Sequence, residues 1–258
     1  MSTTDTVLTR QEADLLIITI NRPARRNAVD RDTAVALYEA FKAFDADDSL
    51  SVAILTGTEG NFCAGADLQA VAAGKGNPVR PDGDMGPMGP TRLELSKPVI
   101  AAVEGYAVAG GLELALWCDL RVASDSARFG VFCRRFGVPL IDGGTIRLPR
   151  LIGASRAMDL VLTGREVGPD EALAIGLANY AAPAGKALDR AMQLANDIAA
   201  FPQTCLRADR LSAMRQWSLD MDSALKAEVE GGLDVLKSGE TLKGATAFTK
   251  GKGRHGSF

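Results

Sequence analysis

Two short stretches gather the residues able to do chemistry in this 258-residue chain: Phe62-Cys63-Ala64-Gly65-Ala66-Asp67 and Ala109-Gly110-Gly111-Leu112-Glu113. Their small residues let the backbone approach a ligand closely. Each follows an apolar, strand-like run, residues 51–56 and 99–103. Each opens a helical pattern, beginning near Asp67 and near Gly110. A helix start presents unpaired N–H groups at the positive end of the helix dipole. Two such starts facing one another would make a paired-amide pocket for a developing oxyanion. Glu113, just inside the second start, adds a carboxylate beside it.

Other chemistries are poorly served. His255 is the only histidine, so neither a histidine triad nor a His-rich metal site is expected. Cys63, Cys118, Cys133 and Cys205 are scattered without a CxxC pair, which argues against a zinc cluster or disulfide scaffold and for buried thiols. Proton chemistry then falls to carboxylates, or to a perturbed Lys, Cys or Tyr. A net charge of −3 gives no reason to expect nucleic acid or an anionic membrane as partner. No apolar run approaches the ~20 residues that span a bilayer. Residues 1–11 are polar and lack the basic start and apolar middle of a signal peptide, so a cytoplasmic location is expected.

The elements that must hold these residues read as an α/β body followed by helices. Residues 14–20 form a β-rich run stopped by Asn21-Arg22-Pro23. Residues 31–44 carry apolar positions at helical spacing, with Asp30 as N-cap. Residues 51–56, 99–103 and 120–123 read as buried strands. Strands alternating with helices favour an α/β fold. From Ala154 onward the pattern is mostly helical, with helices predicted over 187–199, 202–214 and 218–237. Residues 74–90, dense in Gly and Pro, form a loop that suits a substrate-pocket wall or lid.

Several motifs occur in order. Asn21-Arg22-Pro23 precedes Arg25-Arg26-Asn27-Ala28, and the first glycine-rich turn extends to Leu68. Lys97-Pro98-Val99-Ile100-Ala101-Ala102-Val103-Glu104-Gly105-Tyr106-Ala107 leads into Gly110-Gly111-Leu112-Glu113-Leu114-Ala115 and Cys118-Asp119. Gly143-Gly144-Thr145, Arg147-Leu148-Pro149-Arg150 and Leu162-Thr163-Gly164 follow. In this order they resemble the crotonase superfamily, the enoyl-CoA hydratases and isomerases, over nearly the whole chain.

The resemblance implies a crotonase-like spiral of ββα units with a C-terminal helical trimerisation region. It places the core with the acyl-CoA site in residues 1–195 and the helical region in 196–258, and implies a homotrimer or dimer of trimers. It implies an acyl-CoA thioester substrate, with coenzyme A entering as part of the substrate and no tightly bound cofactor. The two amides that grip the thioester oxygen and stabilise an enolate map to Ala66 and Gly110. Coenzyme A contacts map to Arg25 and Arg26, to Ala64, Asp67 and Leu68 around the first turn, and to Lys250, which clusters with Lys252 and Arg254. The Asp67 carboxylate also suits stabilisation of a helix start.

Family hydratases use two glutamates to hold and activate a water. The first matches Glu113. At the second position this chain has Cys133, and a thiol relays protons only with a strongly depressed pKa. Arg134 and Arg135 could lower it; the alternative is a buried structural cysteine. Asp142 occupies a place similar to an aspartate that handles a proton in dienoyl-CoA isomerase relatives. It reads either as a catalytic partner of Glu113 or as the N-cap of a helix beginning near Gly143. Hydration of a 2-enoyl-CoA is the leading expectation. Double-bond isomerisation and a catalytically weak acyl-CoA-binding protein are the alternatives.

Overall fold

The computed structural model describes residues 5–253. Strand β1 (Val7–Glu12) pairs antiparallel with β2 (Leu15–Ile20), in which Leu15, Ile17, Ile18 and Ile20 are buried. Helix α1 (Arg31–Ala46) follows, its first turn closed by the Asp30 carboxylate, which accepts from Thr33 N at 3.0 Å. Then come β3 (Val52–Gly57), α2 (Leu68–Ala72), β4 (Val99–Val103), β5 (Tyr106–Val108) and α3 (Gly110–Trp117). After them run β6 (Leu120–Ser124), β7 (Arg128–Gly130), α4 (Gly144–Ile152), α5 (Ala154–Thr163), β8 (Glu166–Val167), α6 (Pro169–Ala174), β9 (Tyr180–Ala182) and α7 (Ala187–Ala199).

Two sheets result, ordered β1-β2-β3-β4-β6-β9 and β5-β7-β8. From β2 onward every pairing in the larger sheet is parallel. Its central strands β3 and β4 are covered on both faces, which explains their unbroken apolar sequence. The chain repeats one move: a strand of the large sheet, a strand of the small sheet, then a helix. β4-β5-α3 and β6-β7-α4 are two such turns of a ββα spiral. In the turn before them, the small-sheet step is a single parallel bridge between Cys63 and Ala107.

Phe41 and Phe44 of α1 are fully buried, Phe41 standing edge-on to Trp117 with ring centroids 4.8 Å apart. Arg121, 1% exposed, donates to the carbonyls of Ala115, Cys118 and Leu177. It thereby pins the end of α3, whose last carbonyls would otherwise be orphaned inside the protein.

Residues Met1–Asp197 and Ile198–Phe258 form two compact units. The second holds α8 (Gln203–Arg215), α9 (Met221–Ser238) and α10 (Glu240–Thr249). The Glu240 carboxylate accepts from Thr204 N and Cys205 N, capping the start of α8. No described helix is long and apolar enough to cross a membrane.

Several sequence expectations need correction. β1 gave no signal because an exposed edge strand tolerates the polar run VLTRQE. The region after Ala154 is interrupted by β8 and β9, each too short to show a period. The last predicted helix starts three residues later, after a 3-10 turn at Gln216–Ser218, and α10 was not anticipated. Cys205 is exposed, unlike the other three cysteines.

Candidate active site

The first glycine-rich turn is held like a strand before it becomes a helix. Cys63 N donates to Tyr106 O and Val108 N donates to Cys63 O. Val29 N then donates to Gly65 O, and Asp67 N to Val29 O. These bonds flank Ala66 in a parallel bridge, so the Ala66 N–H faces the opposite side and has no acceptor among the described residues. The second turn places Gly110 at the first position of α3, where an amide has no intrahelical acceptor.

Glycine is required where the turns meet. Gly65 has φ +97°, and a Cβ there would lie 3.0 Å from Gly110 N. A Cβ on Gly111 would lie 2.0 Å from Cys63 O. Ala109, between β5 and α3, adopts φ 54° and ψ −126°, a conformation normally left to glycine. The strained position thus immediately precedes the Gly110 amide.

Glu113 and Asp142 meet beside this turn. Glu113 Oε1 accepts from Asp142 N at 2.9 Å and from Gly144 N at 2.8 Å, closing the start of α4. Asp142 Oδ1 accepts from Met88 N at 2.9 Å and from Thr91 Oγ1. Each carboxylate therefore spends one oxygen on structure. Glu113 Oε2 and Asp142 Oδ2 have no partner among the described residues. The N-cap reading of Asp142 is corrected: the cap residue is Gly143, without a side-chain bond, and Glu113 supplies the acceptor. Capping crosses between elements because α3 packs its first turn against the start of α4.

Burial sets the electrostatics. Glu113 is 2% exposed, and desolvation, with a contribution from the charge of Asp142, raises its pKa from 4.5 to about 7. Desolvation also raises Asp142, against the hydrogen bonds from Thr91 and Met88. Cys133 rises as well, through burial and then the charge of Glu113. Arg134 lowers it, but by less than burial and Glu113 raise it, in keeping with the alternative of a buried structural cysteine. Arg134 donates to Val161 O and Arg135 to Gly164 O.

A cavity of about 480 Å³ joins these groups. Ala64, Ala66, Leu68, Gly110, Glu113, Cys133 and Asp142 all line it, with Val71, Met88, Phe132, Phe136 and Ile141 among the apolar walls. Gly76, Asn77, Val79 and Pro87 line it too, so the loop 74–90 forms a wall of the cavity. Arg25 and Arg26 are exposed and are not among its lining residues. Arg25 donates to Gln69 Oε1, and Arg26 lies over the Tyr106 ring at 5.3 Å.

The Asp67 side chain also lies outside the lining. Burial opposes its charge, but bonds from Ala70 N, Arg22 and Gln69 N outweigh that and hold it below the usual carboxylate range. Lys250 ends α10 in the second unit, while Arg254 and His255 lie outside the described residues.

Sequence reasoning missed the residues that hold Asp142. Thr91 and Met88 come from the end of the glycine-rich loop. Arg147 donates to Asp142 O at 2.9 Å and to Thr91 O at 2.7 Å, tying loop and turn together. The only sequence signal was Arg147 within the Gly-Gly-Thr motif segment.

A ββα spiral that brings two helix-start amides and two buried carboxylates to one largely apolar cavity defines a class of site chemically able to stabilise an oxyanion. The chain belongs to the enoyl-CoA hydratase/isomerase family, whose model matches residues 10–255. It is 36% identical over 253 residues to enoyl-CoA hydratase EchA19 of Mycobacterium tuberculosis, covering 94% of this chain and 93% of that one. It is 37% identical over 245 residues to carnitinyl-CoA dehydratase of Proteus mirabilis, covering 92% of each. The solved structure of enoyl-CoA hydratase EchA1 from Mycobacterium marinum superposes with TM-score 0.90 at 40% identity, covering 95% of this chain and 96% of that one.

Proposed function

We propose that this enzyme adds water across the double bond of a 2-enoyl-CoA through a thioester enolate. The observation that carries the reading is the pairing of Glu113 and Asp142, each with one free oxygen, in the cavity that also holds the Ala66 and Gly110 amides. The thioester oxygen sits between the two amides. A water lies between Glu113 Oε2 and Asp142 Oδ2. Burial raises both carboxylates, Glu113 to about 7, so one can act as base while the other holds a proton as acid. The ionised member takes a proton from water as its oxygen bonds to Cβ. The π electrons move to the thioester oxygen, where two amides stabilise the charge. Protonation at Cα then completes the addition.

In this reading Ala64 and Leu68 touch the thioester end of coenzyme A, and Arg25 and Arg26 stand outside the cavity where its phosphates would lie. Asp67 acts through α2, which it caps. Lys250 contacts the nucleotide of its own or a neighbouring subunit, in a trimer or dimer of trimers. Exposed Met221, Leu225, Val229 and Leu233 on α9 support such assembly, and light scattering after gel filtration is expected to give three or six copies. Product mass spectrometry across a panel of 2-enoyl-CoA substrates tests the reaction. A gain of one water is expected. An unchanged mass with a shifted double bond would instead mark an isomerase.

A further inference from the structure

Cys133 stands in the catalytic cavity, yet the proposed hydration leaves its thiol without a task. It belongs to the 3-10 turn Phe132–Phe136, is 6% exposed, and lines the same space as Glu113, Asp142, Ala66 and Gly110. Glu113, 2% exposed, keeps Oε2 unpartnered in that space. We propose that Cys133 is a covalent addition site for α,β-unsaturated acyl-CoA thioesters, its sulfur bonding to the β-carbon. The inference rests on the enolate reading above.

The step balances without any other reactant. The S–H proton passes to a carboxylate and the C–S bond forms at Cβ. The π pair moves to the thioester oxygen between the two amides, and the enolate recovers the proton at Cα. No bond to coenzyme A breaks. A base and oxyanion pocket able to drive water, of pKa about 15.7, onto Cβ face an easier nucleophile in a thiol, of unperturbed pKa about 8.5. Burial keeps the resting thiol protonated. Its reaction is therefore confined to electrophiles held against the amides, and general alkylating agents find little thiolate.

The test uses the full chain and 2-butynoyl-CoA, whose thiol adduct is a conjugated vinyl thioether. Intact mass and peptide mapping are expected to show one equivalent of the whole probe on Cys133. Iodoacetamide is expected to label the exposed Cys205 instead. Glu113→Gln should slow the Cys133 reaction by about 10²-fold or more, as expected for loss of a general base, and excess butyryl-CoA should protect the thiol. Absence of the Cys133 adduct while crotonyl-CoA still gains water overturns this inference and leaves the hydration reading standing. Equal labelling of the variant, or no protection by butyryl-CoA, also overturns it. So does a mass gain of the butynoyl group alone with release of free coenzyme A, which marks attack at the carbonyl. An adduct on Cys133 without water addition to crotonyl-CoA sustains the inference and overturns the hydration reading.

Discussion

Glu113→Gln separates the chemistry of this carboxylate from its structural duty. Glu113 Oε1 accepts from the Asp142 and Gly144 amides, and a glutamine carbonyl can accept both. What disappears is an oxygen able to take and return a proton. General acid–base contributions of about 10²–10⁴-fold correspond to ~3–5 kcal/mol of barrier.

Stability moves the other way. Burial raises Glu113 from 4.5 to about 7. At about 1.4 kcal/mol per tenfold change in acidity, holding the ionised form costs the fold ~3 kcal/mol. The folded chain keeps a proton that the unfolded chain releases between pH 4.5 and about 7. This cost is therefore absent below 4.5, grows as pH rises to about 7, and is constant above. Glutamine carries no such dependence. The variant is expected to match the parent in urea unfolding below pH 4.5 and to exceed it by up to ~3 kcal/mol at pH 8. Steady-state hydration of crotonyl-CoA reads the activity loss. Full activity in the folded variant would refute the catalytic role, and a stability difference that ignores pH would refute the burial argument.

Gly110→Val puts a Cβ 2.7 Å from Met88 Sδ and displaces the amide beneath the thioester oxygen. We expect a loss of about 10²–10³-fold in kcat with little change in coenzyme A affinity; collapsed binding with a normal rate on bound substrate would contradict the oxyanion assignment. Asp142→Asn keeps an acceptor for Met88 N and Thr91 Oγ1 and is expected to lower turnover by about 10²-fold or more. Should it stay active, Glu113 works alone. Cys133→Glu restores a carboxylate at the second position and is expected to raise the hydration rate above that of the parent in the same assay. Asp67→Ala removes the acceptor for Gln69 N and Ala70 N and one partner of Arg22, with an expected cost of ~1–2 kcal/mol, read as a lowered Tm.

Much of this protein was legible in one dimension. The order of the motifs identified the family, because each glycine in the two turns answers a local demand. Gly65 needs a positive φ and Gly111 needs the space of a missing Cβ, and both demands are written in residue type. Strands β3 and β4 announced themselves as unbroken apolar runs because they are buried on both faces.

The roles of the carboxylates were not legible in this way. Asp142 read equally as cap or catalyst, since an isolated Asp before Gly-Gly serves either. Its partners Met88 and Thr91 stand 54 and 51 residues away, and Glu113, which takes over the capping, stands 29 away. Only packing brings them within hydrogen-bond reach. Short strands such as β5, β7 and β8 were also invisible, because two or three residues carry no periodicity and are held by their neighbours in the sheet. The raised pKa of Glu113 has the same origin. Desolvation depends on everything around a group, and in a sequence a buried glutamate is spelled like an exposed one.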